Sequence, residues 1–473
     1  MSALREAGAH DVRGVLARAF PHVDTWIVLF VLVAFGPIVQ ELTAQPASRI
    51  ALTAAVAEHH TVSVAGYPLG VDRVTLADGR LRSDKAPGQP FLAIPVYAAG
   101  RALGFQPAAH DRTLDNLGLW WITLWSTVLP LCVLTVLMRR TAASLGASAP
   151  IAGALSITFA TTMTAFSAVL YAHVLAATFA FGAWYVLRRA APERPQPWLV
   201  AGALTGAAVV TEYTTLLLAL LFTAFVLWKA RTRLGWFVLG ALPFGVAAGL
   251  YNQSAFGKPW RVSYGVEYAA RGVHGRIFGV GVPSLTSLGQ LFFDERGFLL
   301  STPIVLVAVA FAISLVRRPG PARIDAVVGL IAFTTFLLMQ AGWPNPWGGE
   351  SPGPRYMIPA LPFLAVPLAM GWKRAPFVAR AAAAWGAVCM GAATLAAHGG
   401  LVPDHTSLFT WWVHEMRTGD VTSTLWTMAL GNVGWIVYAA IVVAVGVNLV
   451  RVADTRNGTS KDARAIQPRA ALV

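Results

Sequence analysis

The sequence predicts an all-α polytopic membrane protein, and three observations support this fold class. Of the 473 residues, 56% are hydrophobic and 12% are charged, whereas soluble proteins carry about 25% charged residues. The hydrophobic residues are grouped in runs of roughly 17 to 22, the length that crosses the hydrocarbon core of a bilayer. The short segments between these runs alternate in charge, as the loops of a multi-pass protein do.

The apolar runs predict about 12 transmembrane helices in a single integral-membrane domain, residues 1–473. The first run follows about 20 mostly polar residues and has no small-residue cleavage site, so we interpret it as a membrane span and not as a cleavable signal. Both cysteines lie inside apolar runs, at a spacing that indicates neither a metal site nor a redox pair. The predicted spans are residues 25–43, 116–138, 150–168, 171–187, 198–211, 214–228, 235–252, 299–316, 325–342, 357–372, 381–397 and 430–450.

The basic residues orient these spans. With the N-terminus in the cytoplasm, the inward segments contain 22 of the 36 Lys and Arg residues, and every short inward loop contains at least two. This is the positive-inside pattern. It accounts for the formal net charge of +14 and argues against nucleic acid as a partner. Both termini are therefore predicted to be cytoplasmic, and the C-terminal one is a basic tail over residues 451–473.

Function is predicted to face outward, because the inward loops are short and plain while four outward segments are long and rich in polar and aromatic residues. The Ala-, Arg- and Gly-rich composition suggests a high-GC bacterium, which places the chain in the bacterial inner (plasma) membrane and these segments in the periplasm. They are residues 44–115, 253–298, 343–356 and 398–429.

The first outward loop is predicted to contain two short helices. Residues 47–60 have a broad apolar face that suits a helix lying along the membrane interface. Residues 91–103 form a second apolar helix, interrupted by Pro95, that is too short to span the bilayer. Together they would form a roof over a cavity at the membrane face.

The strongest motif in that loop is Ser83-Asp84-Lys85-Ala86-Pro87-Gly88. Pro and Gly fix the backbone, and Lys85 offers a compact cation suited to a phosphate. Asp84 and Asp72 offer carboxylates that can act as a general base. The alternative interpretation is a solvated turn with an incidental ion pair.

A second motif lies in the outward loop at 343–356, which is rich in Trp, Pro and Gly. Arg355 stands at the start of a helix on the outer face, where its guanidinium can hold a phosphate with two hydrogen bonds. Glu350 could orient Arg355 or bind a sugar hydroxyl, and Tyr356 adds an aromatic face. The alternative is a structural Glu–Arg pair in a rigid loop.

Three further residues are candidates for substrate binding. Glu212 lies between two spans, His173 stands at the outward start of another, and Tyr264 lies in the outward loop at 253–298, whose aromatic and charged residues suit carbohydrate recognition. Each has a plainer interpretation, as a solvated turn, a structural histidine and an extramembrane loop residue respectively.

Taken in order, these motifs resemble the GT-C superfamily of integral-membrane glycosyltransferases, in the branch of the protein O-mannosyltransferases and lipid A aminoarabinose transferases. In the first outward loop, Arg49 matches the arginine of the family's Asp-Glu-x-Arg-Tyr-like stretch, and Lys85-Ala86-Pro87 matches its Lys-Pro-Pro turn. The Asp-Glu pair of that stretch is replaced by Pro46-Ala47. The catalytic acid therefore has no direct match, and Asp84, then Asp72, and also Glu41 are the candidates to replace it.

Later motifs extend the resemblance over about residues 25–372. Residues 198–213, which end in Thr211-Glu212-Tyr213, resemble the family's middle pair of spans. Residues 354–362, which begin Pro354-Arg355-Tyr356, resemble the Arg-Tyr-x-x-Pro-x-x-Pro start of a late span.

The resemblance implies transfer of a sugar, of mannose or arabinose type, from a polyprenyl-phosphate donor to a glycolipid, polysaccharide or protein acceptor of the cell envelope. It implies inversion at the anomeric carbon, a carboxylate general base, and Lys85, Arg355 and Arg49 on the donor phosphate. Membrane lipids are the other expected partners. Two alternatives stay open: a transporter or flippase of lipid-linked sugars, and a non-catalytic envelope assembly partner.

The sequence supports no metal site, because its ten histidines form no His-Glu-x-x-His or clustered set. A divalent cation held by carboxylates is left open as a cofactor. The chain also has no Gly-rich nucleotide loop and no dinucleotide-binding motif.

Overall fold

The computed structural model describes residues 22–67, 72–105, 116–270, 279–396, 398–404 and 406–465. The predicted N-terminal tail up to residue 21, parts of the outward loops at 44–115 and 253–298, and the end of the basic C-terminal tail lie outside the described residues. The chain divides into two compact units. One comprises the residues up to Pro37 together with those from Thr424 onward, and the other is Ile38–Ser423. The assignment of 1–473 to one domain stays a prediction.

The described chain is mostly helical. In chain order the first ten α-helices are α1 (Val23–Phe35), α2 (Ala44–His59), α3 (Gly88–Ala102), α4 (Leu117–Thr123), α5 (Leu129–Ser144), α6 (Pro150–Phe159), α7 (Ala172–Arg189), α8 (Pro195–Thr211), α9 (Leu216–Ala230) and α10 (Leu234–Phe256). The others are α11 (Ser263–Ala270), α12 (Leu285–Phe293), α13 (Ile304–Val316), α14 (Arg323–Ala341), α15 (Ala365–Gly371), α16 (Pro376–Ala396), α17 (Leu408–Thr418), α18 (Leu425–Leu430) and α19 (Val433–Ala465). The strands are β1 (Ile38–Val39), β2 (Arg73–Thr75), β3 (Leu81–Ser83) and β4 (Ser423–Thr424).

Five helical stretches of the described chain are long and apolar enough to cross a membrane. They are Leu117–Ser144, Tyr213–Phe256, Arg323–Ala341, Pro376–Ala396 and Val433–Ala453. Shorter apolar helices are Val23–Phe35, Pro150–Phe159 and Ile304–Val316. The predicted count of about 12 is therefore not confirmed. Several predicted spans are broken in the structure; for example, the run at 150–168 is a helix only to Phe159 and continues in turns and a short 3-10 segment.

In the smaller unit, α1 packs against α19. The Tyr438 hydroxyl donates to the Ala34 carbonyl. The space beside Gly446 is filled by Phe30, whose ring lies 3.1 Å from where a Cβ would stand. A small residue thus allows these two apolar helices to approach closely.

In the larger unit, α8 and α10 cross with their backbones in direct contact. A Cβ added at Gly202 of α8 would lie 1.9 Å from the Phe237 carbonyl oxygen, and one added at Gly240 of α10 would lie 2.0 Å from the Leu199 carbonyl oxygen. Each glycine therefore allows the backbone of the other helix to approach closely, as small residues do in membrane helix pairs. This contact fixes the C-terminal end of α8, which carries Glu212.

The segment predicted to be the first outward loop contains the two expected helices, α2 and α3. α2 buries Ile50, Ala51 and Leu52 completely. The expectation that Pro95 interrupts the second helix is wrong, because α3 runs continuously from Gly88 to Ala102. Proline fits helical φ and removes only one intrahelical hydrogen bond, and the neighbouring elements hold the rest of the helix.

A β-hairpin lies between these helices. β2 and β3 are antiparallel, with Arg73 opposite Ser83, Val74 opposite Arg82 and Thr75 opposite Leu81. The reversal contains Asp78-Gly79, and Gly79 has φ +80°. Asp-Gly is a strong signal for a tight hairpin turn. The register places the residue before β2 beside the residue after β3.

The glycine contact predicts a local stability test. Gly240→Ala should destabilise the protein by roughly 1–3 kcal/mol, because its Cβ overpacks the α8 backbone. Gly245→Ala lies in the same helix with nothing within 4 Å of the added Cβ, and should be neutral or slightly stabilising because alanine favours helix. Thermal unfolding in detergent checks both variants. Equal melting temperatures would contradict the close α8–α10 contact.

Candidate active site

Lys85 lies between two carboxylates at the open end of the hairpin. Its Nζ is 2.9 Å from Asp72 Oδ1 and 2.9 Å from Asp84 Oδ2. Asp72 precedes β2 and Asp84 follows β3, so the strand register brings the two aspartates to opposite sides of the lysine. The side chains of Lys85 and Asp84 are 5% and 1% exposed, and that of Asp72 is 17% exposed.

The helix α2 is hydrogen-bonded to this turn. Ser48 of α2 shares a hydrogen bond of 2.8 Å with the Ser83 hydroxyl and donates to Asp84 Oδ1 at 3.4 Å. The Lys85 backbone N–H donates to the Ser83 hydroxyl. Both oxygens of Asp84 therefore have partners. Arg49, the residue after Ser48, is brought to the same buried space.

The two aspartates have opposite pKa shifts. Burial alone would raise the pKa of Asp72, but Lys85, assisted by Arg355 and Arg49, brings it below the ordinary value. Burial raises the pKa of Asp84, and the charge of Asp72 adds to this effect against the opposing pull of Lys85. Burial alone would lower the pKa of Lys85, but the two carboxylates raise it. A pair of carboxylates whose pKa values are driven apart is typical of acid–base sites.

Two buried arginines flank this group. Arg49 is 2% exposed and Arg355 is 6% exposed. Arg49 Nε and Nη1 and Arg355 Nε are buried with no hydrogen-bond partner, and neither guanidinium forms an ion pair with the rest of the described chain. Both interact electrostatically with Asp72. Buried charges are normally paired, so these unpaired donors are suited to an anion.

The loop at 343–356 holds Arg355 in place. The guanidinium lies 5.6 Å from the ring centre of Tyr171 and 5.4 Å from that of Tyr356, distances at which an aromatic face attracts a cation. Gly348 has φ +84°, and a Cβ there would lie 2.7 Å from the Tyr356 ring. Glycine is therefore needed where the loop passes over this pair.

Arg296 anchors the same loop from the other side. It is 4% exposed and donates to four carbonyl groups, those of Ser351, Val402, Pro403 and Thr406. A single buried guanidinium thus joins the loop that carries Arg355 to residues 402–406. Its role is structural, because its two terminal nitrogens donate to backbone carbonyls of the protein.

His173 and Glu212 form a second buried group. His173 stands in the first turn of α7 and Glu212 caps the C-terminus of α8. His173 Nδ1 lies 3.2 Å from Glu212 Oε2. Both imidazole nitrogens and Glu212 Oε1 are buried without a hydrogen-bond partner. The two side chains are 2% and 1% exposed.

Close backbone contacts join the two groups. A Cβ at Gly88 would lie 2.7 Å from the Thr211 backbone nitrogen, so the turn after Lys85 rests directly on the end of α8. Gln89 Nε2 donates to the Tyr171 carbonyl at 3.2 Å, just before α7 begins. The starts of α3 and α7 and the end of α8 therefore converge. Glu212 interacts electrostatically with Arg49 and Lys85.

The structure brings together most of the residues singled out from the sequence. Tyr264 joins them through ring contacts with Tyr213 and Trp343. The assembled residues are Asp72, Asp84, Lys85, Arg49, Arg355, Tyr356, His173, Glu212 and Tyr264.

Glu41 and Glu350 are placed elsewhere. They line a separate cavity of about 440 Å³ together with Glu415 and Asp420, and the site described above is formed without them. Glu350 therefore does not serve as the partner of Arg355. Nearness in sequence alone suggested that pairing.

Sequence reasoning missed Ser48, Tyr171 and the hairpin itself. The Asp78-Gly79 pair between short alternating segments was the available signal for the hairpin. Tyr171 and Ser48 carried no signal, because their roles depend on contacts between distant segments. Among the described residues no three His, Cys, Asp or Glu side chains gather as metal ligands, and a divalent cation stays an open prediction.

Comparison with known proteins yields a structural likeness and no match in sequence. No family matches the chain, and no curated protein matches it. Among solved structures, the chain is similar to ArnT from Cupriavidus metallidurans bound to undecaprenyl phosphate, with 14% sequence identity and a TM-score of 0.44, over 94% of this chain and 80% of that one. A likeness at this level does not assign a family or an activity, so the GT-C membership stays a prediction from the motifs.

The lysine bridge predicts a stability change that depends on pH. Lys85→Met leaves two buried carboxylates facing each other and should cost about 3–5 kcal/mol. Without the lysine, burial raises the pKa of both carboxyls above the unfolded value, about 3.9 for Asp. The folded variant then binds protons more readily than the unfolded chain, so its stability falls as the pH rises. The deficit should therefore be larger at pH 8 than at pH 5.

Arg80→Ala is the matched control for this variant. It breaks the ion pair between Arg80 and Asp78 in the same hairpin, but this pair is exposed and should contribute little. Thermal unfolding in detergent at the two pH values measures both variants. A Lys85→Met protein as stable as the Arg80→Ala protein at pH 8 would contradict the buried bridge.

Proposed function

We propose that the protein transfers a sugar from a polyprenyl-phosphate donor to a hydroxyl group of a cell-envelope acceptor at the membrane face. The main observation behind the proposal is the pair of buried arginines, Arg49 and Arg355, which have N–H groups without partners and interact electrostatically with Asp72 of the Lys85 bridge. The motifs that resemble GT-C glycosyltransferases supply the chemical class, and the apolar helices of the chain supply access for a lipid-linked donor.

A phosphate fits this group of cations. A guanidinium can hold two phosphate oxygens at once, and Arg is the preferred residue for such contacts in a buried setting. Lys85 has three N–H donors, of which two are used by the aspartates, so one is available for the same phosphate. The bound anion would offset the cost of burying the two guanidinium groups without carboxylate partners.

The same cations would assist the departure of the lipid phosphate. As the bond from the anomeric carbon to the phosphate oxygen breaks, the oxygen takes the bonding electron pair and negative charge grows on the phosphate. Fixed donors aimed at developing charge lower the barrier more than they stabilise the ground state. The leaving group is polyprenyl phosphate.

The aspartate pair is the proposed general base. The acceptor hydroxyl gives its proton to a carboxylate while its oxygen attacks the anomeric carbon from the side opposite the phosphate, which inverts that carbon. Asp84 has the higher pKa but both its oxygens have partners. Asp72 Oδ2 makes no hydrogen bond within the described chain. Geometry takes precedence over pKa in choosing a base, so we assign the proton to Asp72 and a supporting role to Asp84, reversing the preference drawn from the sequence.

The remaining features follow the sequence analysis and are part of the proposal. The donor sugar is of mannose or arabinose type, and the acceptor is a glycolipid, polysaccharide or protein. The protein lies in the bacterial inner membrane with its active site on the periplasmic side.

The transfer assay uses the purified protein in detergent with a panel of polyprenyl-phosphate sugars and envelope acceptors. Asp72→Asn should lower kcat by about 100-fold or more, the usual contribution of a general base. Asp78→Asn is the matched control, since Asp78 is an exposed aspartate in the same hairpin, and it should keep full activity. Arg355→Gln should weaken binding of polyprenyl phosphate itself.

Two outcomes would overturn the proposal. Wild-type protein that binds polyprenyl phosphate but transfers and hydrolyses no donor would favour a transporter or an assembly partner. Full activity in the Asp72→Asn and Asp84→Asn variants together would remove the carboxylate base from the mechanism.

The pH profile separates the two aspartates. Because the pKa of Asp72 is lowered, a base at Asp72 is already ionised at about pH 5, and kcat/KM should be flat from there to pH 8. Because the pKa of Asp84 is raised, a base at Asp84 would give a kcat/KM that rises with pH above the ordinary range of Asp, about 3.9. The slope of kcat/KM between pH 5 and 8, measured with saturating acceptor, distinguishes the two.

A further inference from the structure

Unpartnered polar atoms are concentrated where α7 begins and α8 ends. His173 Nδ1 and Nε2, Glu212 Oε1 and Thr211 Oγ1 are all buried with no hydrogen-bond partner. Native proteins satisfy nearly all of their buried polar groups, within the protein or with bound molecules. Four such atoms on three adjoining side chains therefore indicate a binding position for a polar molecule.

This position lies beside the proposed phosphate site. His173 meets the Tyr356 ring edge-on at 5.4 Å and lies 6.0 Å from the Tyr171 ring. Arg355 lies over the same two rings, at 5.4 and 5.6 Å. The histidine and the arginine thus flank one pair of tyrosines, so a phosphate at Arg355 would carry its sugar toward His173 and Glu212.

Aromatic rings continue from the arginine toward Glu212. Tyr356 contacts Trp343 at 4.7 Å, Trp343 contacts Tyr264 at 6.4 Å, and Tyr264 contacts Tyr213, the neighbour of Glu212, at 5.8 Å. Aromatic surfaces pack against the C–H faces of sugars, while nearby polar groups reach the hydroxyls. These aromatic rings and the unpartnered polar atoms are together suited to binding a carbohydrate.

We propose that Glu212, His173 and Thr211 form the subsite for the transferred sugar, and that this subsite accepts a sugar without an acidic substituent. This inference rests on the proposed function, because it assumes a glycosyl phosphate at Arg355. The Glu212 carboxylate only accepts hydrogen bonds, so it suits a sugar hydroxyl, which donates. A uronic acid would bring a second carboxylate against Glu212 in a buried space, where like charges repel strongly.

Binding measurements with two probes test the assignment. The probes are polyprenyl phosphate, which has no sugar, and polyprenyl-phosphate mannose. Glu212→Gln should bind the bare phosphate at least as tightly as the wild type does, because it removes a negative charge that interacts with Arg49 and Lys85. It should bind the mannosyl donor about 10- to 100-fold more weakly, as expected for lost hydrogen bonds to a charged group. Arg355→Gln should weaken binding of both probes.

Two further variants guard against effects on folding. Thr211→Val removes the unpartnered hydroxyl at nearly constant volume and should weaken only the mannosyl donor, by a smaller factor. Glu193→Gln makes the same chemical change at an exposed position and should leave both affinities unchanged. Each variant is first compared with the wild type by thermal unfolding.

The outcomes separate this inference from the proposed function. A wild-type protein that binds neither probe would contradict the lipid-phosphate site itself. Selective loss of the mannosyl donor in Glu212→Gln and Thr211→Val supports the subsite. Equal loss of both probes, or no loss of either, in both well-folded variants would overturn it. Wild-type binding of polyprenyl-phosphate glucuronate as tightly as the mannosyl donor would overturn the exclusion of acidic sugars.

Discussion

The bridge from Lys85 to Asp72 and Asp84 is the interaction on which the rest of the site depends. It closes the open end of the β2–β3 hairpin and leaves one lysine N–H donor for a ligand. Lys85 and Asp84 are buried and Asp72 is 17% exposed, so the charges interact at a lowered effective dielectric, and loss of the lysine would leave both carboxylates without their partner. The turn is therefore held by charge pairs immediately before α3 begins at Gly88.

The two buried arginines, unlike Lys85, have no carboxylate partner in the described chain. Arg49 and Arg355 lie among aromatic and polar groups with N–H donors left unpaired, a state that costs stability. Contact with the Tyr171 and Tyr356 rings offsets part of this cost for Arg355,. The loop that holds it is anchored by Arg296 and shaped by Gly348. Unpaired buried cations destabilise a protein, and such a cost is expected at a functional site where a ligand supplies the missing anion.

The missing Asp-Glu pair before Arg49 has a structural counterpart in the hairpin. Pro46 and Ala47 are buried in the first turns of α2, where a carboxylate would have had to be desolvated. Asp72 and Asp84, at the two strand ends, both interact electrostatically with Arg49. In the proposed function, the acid would therefore come from a different part of the loop than the resemblance predicts.

The sequence by itself determined the helical membrane character, the two helices of the first outward loop and most of the charged residues of the site. Composition and hydrophobic run length report these features directly, because burial in a bilayer depends on local chain properties. The sequence also marked Lys85, Arg355 and Glu212, since charged residues near apolar runs are costly and stand out.

Only the tertiary structure decided which of those residues meet. Glu350 and Arg355 are five positions apart yet separate, whereas Gly88 and Thr211 touch across more than a hundred residues. Ser48 and Tyr171 joined the site through packing that no local pattern encodes. The physical reason is that hydrogen bonds and ion pairs act over a few ångströms, and distances on that scale are fixed by how helix ends converge, not by their order along the chain.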